Sequence, residues 1–207
     1  MLSKARVAVL VSGGGTNLQA LIDAQNSGEL ANGEICLVIS NNPDAYALER
    51  AAAAGIPTRV ISKKLLGTQE RFESALVDTL DLFQIDLIVL AGFMTILSAS
   101  FTSRYPRRIL NVHPALIPSF CGKGMYGLKV HEAALAYGVK VTCATVHFVN
   151  EIPDGGEILL QHPVFVKPAD TPELLQRRVM EEAEWVLLPR AVEQVSHEIV
   201  MEKENKA

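Results

Sequence analysis

The chain has 207 residues, a length that fits one domain and is tight for two. Its 49% hydrophobic and 20% charged residues are those of a globular protein and exclude disorder as the overall state. A formal net charge of −4 argues against general nucleic-acid binding, and the most apolar uncharged run, 87–103, is interrupted by Gly92 and several hydroxyl residues and falls short of the roughly 20 apolar residues that cross a membrane.

Arg6–Val11 reads as a buried strand that ends at Ser12-Gly13-Gly14-Gly15, and Thr16–Gln25 continues with Leu18, Leu21 and Ile22 at helical spacing. The N-terminal apolar run is too short for a signal peptide. Ile35–Ser40 is a second apolar strand, Ala45–Ala54 a helix stopped by Gly55, and Thr58–Ile61 a short strand. Phe72, Leu76, Leu80 and Phe83 mark one face of a helix, and Asp86–Ala91 is another apolar strand. This alternation predicts an α/β doubly wound, mostly parallel sheet covered on both faces.

After Gly92 the pattern changes. Ile109–Val112 is a short strand, Leu128–Tyr137 a helix, and Val141–Val149 and Ile158–Val166 are long strands joined across Asp154-Gly155-Gly156, which predicts an antiparallel edge. Thr171-Pro172-Glu173 opens a last helix that Pro189 should kink or break, with a frayed, flexible end after Val200. Residues 1–200 read as one domain, with a phosphate-binding half to about residue 100 and a catalytic half after it.

Three segments could carry chemistry. The Ser12–Asn17 turn lets backbone approach a ligand closely and offers helix N-terminal N–H groups to a phosphate. It lacks the third glycine of a dinucleotide fingerprint, where Leu18 stands, and the Lys of a P-loop, so a smaller phosphorylated ligand suits it better than NAD or ATP. Asn111 and His113 share one strand face with Cα atoms roughly 6.5 Å apart, so a neutral amide donor and an imidazole can address one reacting atom. Asp154, before two glycines that would free an uncommon backbone path, could orient a histidine and favour its cation; a plain Asp-Gly turn is the other reading. Of the remaining histidines, His147, His162 and His197 read as structural, whereas His131 stays open. Cys36, Cys121 and Cys143 have neither metal nor redox spacing and suit reduced thiols in a cytoplasmic protein.

Charge is unevenly spread. Residues 170–207 hold 9 acidic and 5 basic side chains, whereas no acid falls between Asp86 and Glu132, the stretch that carries Arg104, Arg107, Arg108, Lys123 and Lys129. This basic segment suggests a local anion site.

Together the segments VLVSGGGTNLQALI, ISNNPDAYALERA, LAGFMTIL, ILNVHPALIPSF and VHFVNEIPDGGEILLQ, with Glu-Trp and Leu-Leu-Pro in the last helix, make the chain resemble the phosphoribosylglycinamide formyltransferases from about Arg6 to about Ser196. The resemblance implies formyl transfer from 10-formyltetrahydrofolate, as co-substrate, to the amine of glycinamide ribonucleotide in purine biosynthesis, without a metal. It implies catalytic Asn111, His113 and Asp154; ribonucleotide contacts from Gly15, Thr16, Asn17 and Glu184; and folate contacts from Gln69, Leu90, Met94, Thr95, Ile96, Leu97 and Asn111, with Asn150, Glu151, Ile152 and Pro153 closing over the pterin. The Ile117–Pro118 peptide can be cis in such proteins. Gln69 stands where some members have Arg and Thr95 where many do, Phe120–Gly127 belongs to a longer loop than that of some members, and the last helix carries an insertion before Glu184. The basic segment 104–129 could receive the carboxylates of the folate tail. Expected partners are small molecules, with neither nucleic acid nor membrane, and the chain would act as a monomer or homodimer. A formyltetrahydrofolate hydrolase is the alternative activity.

Overall fold

The computed structural model describes residues 4–205. Seven strands form one sheet in the order β3-β2-β1-β4-β5-β6-β7. The first five are β1 (Ala5–Val11), β2 (Gly33–Ser40), β3 (Thr58–Val60), β4 (Leu87–Leu90) and β5 (Ile109–His113), and they pair in parallel. β6 (Val141–Phe148) and β7 (Ile158–Phe165) add an antiparallel edge, as the long strands around Asp154 predict.

Alternation along β1 explains why the sheet is covered on both sides. Val7, Val9 and Val11 face a layer built from α1 (Thr16–Ser27), α2 (Tyr46–Ala53) and α8 (Trp185–Glu204), whereas Ala8 and Leu10 face α4 (Gln69–Leu82) and α5 (Ala99–Arg104). α6 (Leu128–Tyr137) and α7 (Pro172–Val179) pack against each other beside the antiparallel edge. Leu18, where a dinucleotide fold would need glycine, is wholly buried and docks α1 on the sheet. Two short helices escape the periodicity of the sequence, α3 (Lys63–Leu66) and α5, because neither is long enough to repeat an apolar stripe.

The last helix departs from expectation. Pro189 does not break it; α8 runs unbroken from Trp185 to Glu204, and the irregularity is a π turn at Met180–Glu184. A proline ring clashes with the carbonyl four residues back, here Trp185, and the widened turn ends just before that residue. Nor does the helix fray after Val200. Glu202 pairs with Arg108 at 2.6 Å and Lys203 with Asp86 at 2.6 Å, which ties the end to the sheet; of the flexible tail expected at 201–207, residues 206 and 207 lie outside the described residues. Among the described residues, no helix is long and apolar enough to cross a membrane.

The chain leaves β1 towards β2 and returns on its other side at β4, so the carboxyl ends of β1 and β4 bound a crevice where the strand order reverses. The sequence motifs lie along that rim.

Candidate active site

At one end of the crevice, the turn after β1 is shaped by a single glycine. Gly15 is the N-cap of α1 with φ 73°, and a Cβ there would lie 2.6 Å from the Ala47 Cβ. Gly13 and Gly14 meet nothing, and their carbonyls are tied outward, to Ala47 N–H at 3.0 Å and Arg50 Nε at 2.8 Å. No side chain caps the helix, so its first N–H groups face the crevice without a side-chain acceptor. Asn17, the second residue of α1, donates to Glu184 Oε2 at 2.6 Å, while its own Oδ1 is buried without a partner among the described residues. Burial pushes the Glu184 carboxyl above its ordinary range, against the pull of the Asn17 amide. The π turn makes this contact possible. An extra residue before Glu184 would rotate it about 100° around a regular helix, and the wide turn absorbs it.

At the other end, β5 brings Asn111 and His113 to one face, and Asp154 reaches them from the β6–β7 connection. The Asp154 carboxylate lies 3.6 Å from His113 Nδ1, 3.5 Å from His147 Nε2 and 3.4 Å from Asn111 Nδ2, and accepts the Gly122 N–H at 2.8 Å. Burial opposes its ionisation, yet the His147 bond, the His113 charge and the Gly122 N–H together hold it below its ordinary value. The unusual backbone path belongs to Asp154 itself, with φ 57°, and not to the glycines that follow. Those are needed for space: a Cβ on Gly155 would strike Ile152, and one on Gly156 the Phe148 carbonyl.

His147, read as structural from the sequence, stands inside this cluster. It is paired with Asn111 across the β5–β6 ladder, and its Nε2 lies 3.1 Å from Asn111 Nδ2. Nδ1 donates to the Phe148 carbonyl at 2.8 Å, which fixes the ring and leaves Nε2 facing both the Asn111 amide and the Asp154 carboxylate. On the far side, His113 Nε2 donates to the Phe120 carbonyl at 2.9 Å, so the long loop after the cis Ile117–Pro118 peptide rests directly on the imidazole. His131 on α6 is buried with neither ring nitrogen bonded among the described residues, and burial followed by the His113 charge lowers its pKa to about 4.

Between the two ends, Leu90, Met94, Thr95, Ile96, Leu97, Asn111, Asn150, Glu151, Ile152 and Pro153 line one pocket of about 130 Å³, together with His147 and Asp154. Gln69 is not among its walls. Its amide turns inward to Glu73 at 2.5 Å and the Ile96 carbonyl at 3.1 Å. Thr95 lines the pocket but accepts the Asn41 amide at 2.7 Å, so neither residue replaces an exposed guanidinium.

The basic segment is also less free than its sequence suggests. Acids from elsewhere in the chain neutralise it: Arg104 pairs with Asp81 at 2.9 Å, Arg107 with Glu157, and Arg108 with Glu202 at 2.6 Å. An acid-free stretch of sequence is not an acid-free surface.

A family model described as formyl transferase matches residues 5–192. The chain is 46% identical over 202 residues to the trifunctional purine biosynthetic protein adenosine-3 of Homo sapiens, covering 98% of this chain and 19% of that protein. To the phosphoribosylglycinamide formyltransferase of Haemophilus influenzae it is 41% identical over 202 residues, 98% of this chain and 92% of the relative. Among solved structures, glycinamide ribonucleotide transformylase 1 from Symbiobacterium toebii superposes with a TM-score of 0.88 at 38% identity, covering 95% of this chain and 90% of that one. The chain thus spans about a fifth of the trifunctional relative and nearly all of the Haemophilus influenzae one.

Proposed function

Since the chain belongs to the formyl transferase family, we propose that it transfers the formyl group of 10-formyltetrahydrofolate to the amine of glycinamide ribonucleotide, giving the N-formyl product and tetrahydrofolate. The observation that carries this reading is the convergence of Asn111 and Asp154 on the wall of one pocket, with His113 buried against Asp154, on the same sheet rim as the Ser12–Asn17 turn.

The ribonucleotide phosphate would sit on the free N–H groups after Gly15, and its ribose beside Glu184 and the unpartnered Asn17 Oδ1. The folate would enter between Met94–Leu97 and Asn150–Pro153. Ligand pockets of this kind hold roughly 300–1,000 Å³, so at about 130 Å³ the pocket would have to widen to admit the pterin.

The folate supplies a formyl group already activated for acyl transfer. As the amine attacks, negative charge grows on the formyl oxygen. The long contact from Asn111 Nδ2 to Asp154 Oδ1, at 3.4 Å, is the one this oxygen displaces, while the His147 ring 3.1 Å away keeps the amide aimed. His113, with Nε2 held by Phe120, turns its Nδ1 edge to Asp154 and the growing charge. Asp154, ionised at neutral pH, stabilises a proton on that edge and accepts the proton the amine sheds, through water, for return to the departing folate nitrogen.

A spectroscopic formyl-transfer assay tests the reading. Tetrahydrofolate should form only when glycinamide ribonucleotide is present; turnover without it would identify a formyltetrahydrofolate hydrolase instead.

A further inference from the structure

The apolar wall of the pocket is formed by chain without regular structure. Between Gly92 and Leu97 the backbone makes no backbone–backbone hydrogen bond among the described residues, yet Met94 and Ile96 are held out at 53% and 62% exposure. Such a segment moves unless side chains restrain it. Near its start, the Ser12 hydroxyl accepts the Met94 N–H at 2.9 Å. Its far end is fastened by Glu73.

Glu73 sits on the second turn of α4 between the buried Phe72 and Leu76, so its helix is rigidly seated. Only 7% of the residue is exposed, and it forms no ion pair among the described residues. Oε1 accepts from Ser98 N–H at 2.6 Å and from the Gln69 amide at 2.5 Å; Oε2 accepts the Ser98 hydroxyl at 2.5 Å. The second hydrogen of the Gln69 amide goes to the Ile96 carbonyl at 3.1 Å. Carboxylate, amide and serine thereby grip the backbone at both Ile96 and Ser98.

Capping α5 does not require this arrangement. The Ser98 hydroxyl already accepts from Phe101 N–H at 3.2 Å, which is the ordinary capping bond. A buried carboxylate without a cation is costly and persists where its acceptors organise their surroundings. We propose that Glu73 is a positioning residue for the folate pocket: by fixing the Ile96–Ser98 backbone it holds Met94, Ile96 and Leu97 as a preformed wall. This rests on the folate reading of the pocket. Gln69 then contributes as part of the clamp and not as a ligand contact.

The test compares wild type, Glu73→Ala, Glu73→Gln and Gln69→Ala by steady-state kinetics and by direct titration with tetrahydrofolate. Losing the clamp forfeits the preformed wall, so Glu73→Ala should raise the folate KM and the tetrahydrofolate Kd about tenfold, with kcat and the ribonucleotide KM within about twofold. Glu73→Gln should recover most of that loss, because a carboxamide oxygen still accepts from Gln69 and Ser98 N–H and its amino group can face the Ser98 hydroxyl. Gln69→Ala, which leaves Ser98 held, should shift the same two constants by about threefold and covers the case in which Glu73→Ala does not fold. A lower Tm in Glu73→Ala with unchanged folate constants, or equal losses for both substrates, would reduce Glu73 to a structural cap and overturn the proposal. Failure of the wild type itself to bind tetrahydrofolate would instead overturn the folate reading.

Discussion

The two ends of the crevice are built on opposite plans. The Ser12–Asn17 turn is a backbone site: its donors are main-chain N–H groups, and the residue that shapes it, Gly15, matters for the side chain it lacks. The Asn111–His113–Asp154 cluster is a side-chain site assembled from β5, the β6–β7 connection and, through His147, the neighbouring strand. A backbone site is specified within a few consecutive residues and tolerates change anywhere else. A side-chain site depends on register and on loops far apart in sequence, and each member is held by the others.

That interdependence predicts the largest effect. His113→Ala and Asp154→Asn should each lower kcat by about 10² or more, the scale for losing a charged partner at developing negative charge, while far-UV circular dichroism stays native. The double variant should cost little more than either single one, because each residue acts through their mutual contact at 3.6 Å. Fully additive losses would break the cluster into independent parts.

The backbone site should fail differently. Gly15→Ala places a Cβ 2.6 Å from that of Ala47 and strains a φ of 73°, so the turn must shift and lose on the order of 1–3 kcal/mol of stability. The ribonucleotide KM should rise at least about tenfold while tetrahydrofolate binding is kept. Gly13→Ala and Gly14→Ala, whose new methyl groups meet nothing within 4 Å, should do far less. Equal losses at all three positions would mean that general flexibility, and not one close approach, shapes the turn.

The same difference decides what could be read from the sequence. The strand, glycines and helix of the turn are contiguous, and the spacing of Asn111 and His113 already places them on one face. Asp154 was reachable from residues alone only as a possible histidine partner, since a Asp-Gly turn has many uses. His147 was out of reach because its place depends on the β5–β6 register, which sets it opposite Asn111. The Glu73 clamp gave no motif: an acid in the second turn of an amphipathic helix looks solvated until Ser98 is known to lie over it. The neutralisation of Arg104, Arg107 and Arg108 is equally nonlocal, with partners from α4, the β6–β7 connection and α8.

The smallest effect concerns His131, beneath the side-chain site. Its folded pKa of about 4 lies below the ordinary 6.5, chiefly because burial disfavours the cation, with the His113 charge adding to it. The unfolded chain therefore binds this proton first as pH falls. Stability from the neutral ring is fully present above pH 6.5 and is lost on the way down towards pH 4, at about 1.4 kcal/mol per pH unit in that window. Near pH 5.5 the loss should be roughly 1 kcal/mol, and it should vanish in His131→Leu, which fills similar space without titrating. Urea melts of both proteins between pH 7 and 5 measure the difference in slope. Parallel slopes would show that the ring titrates normally and that the floor under His113 is wetter than its burial implies; a flatter profile in the variant would mark His131 as an acid-sensitive point beneath the side-chain site.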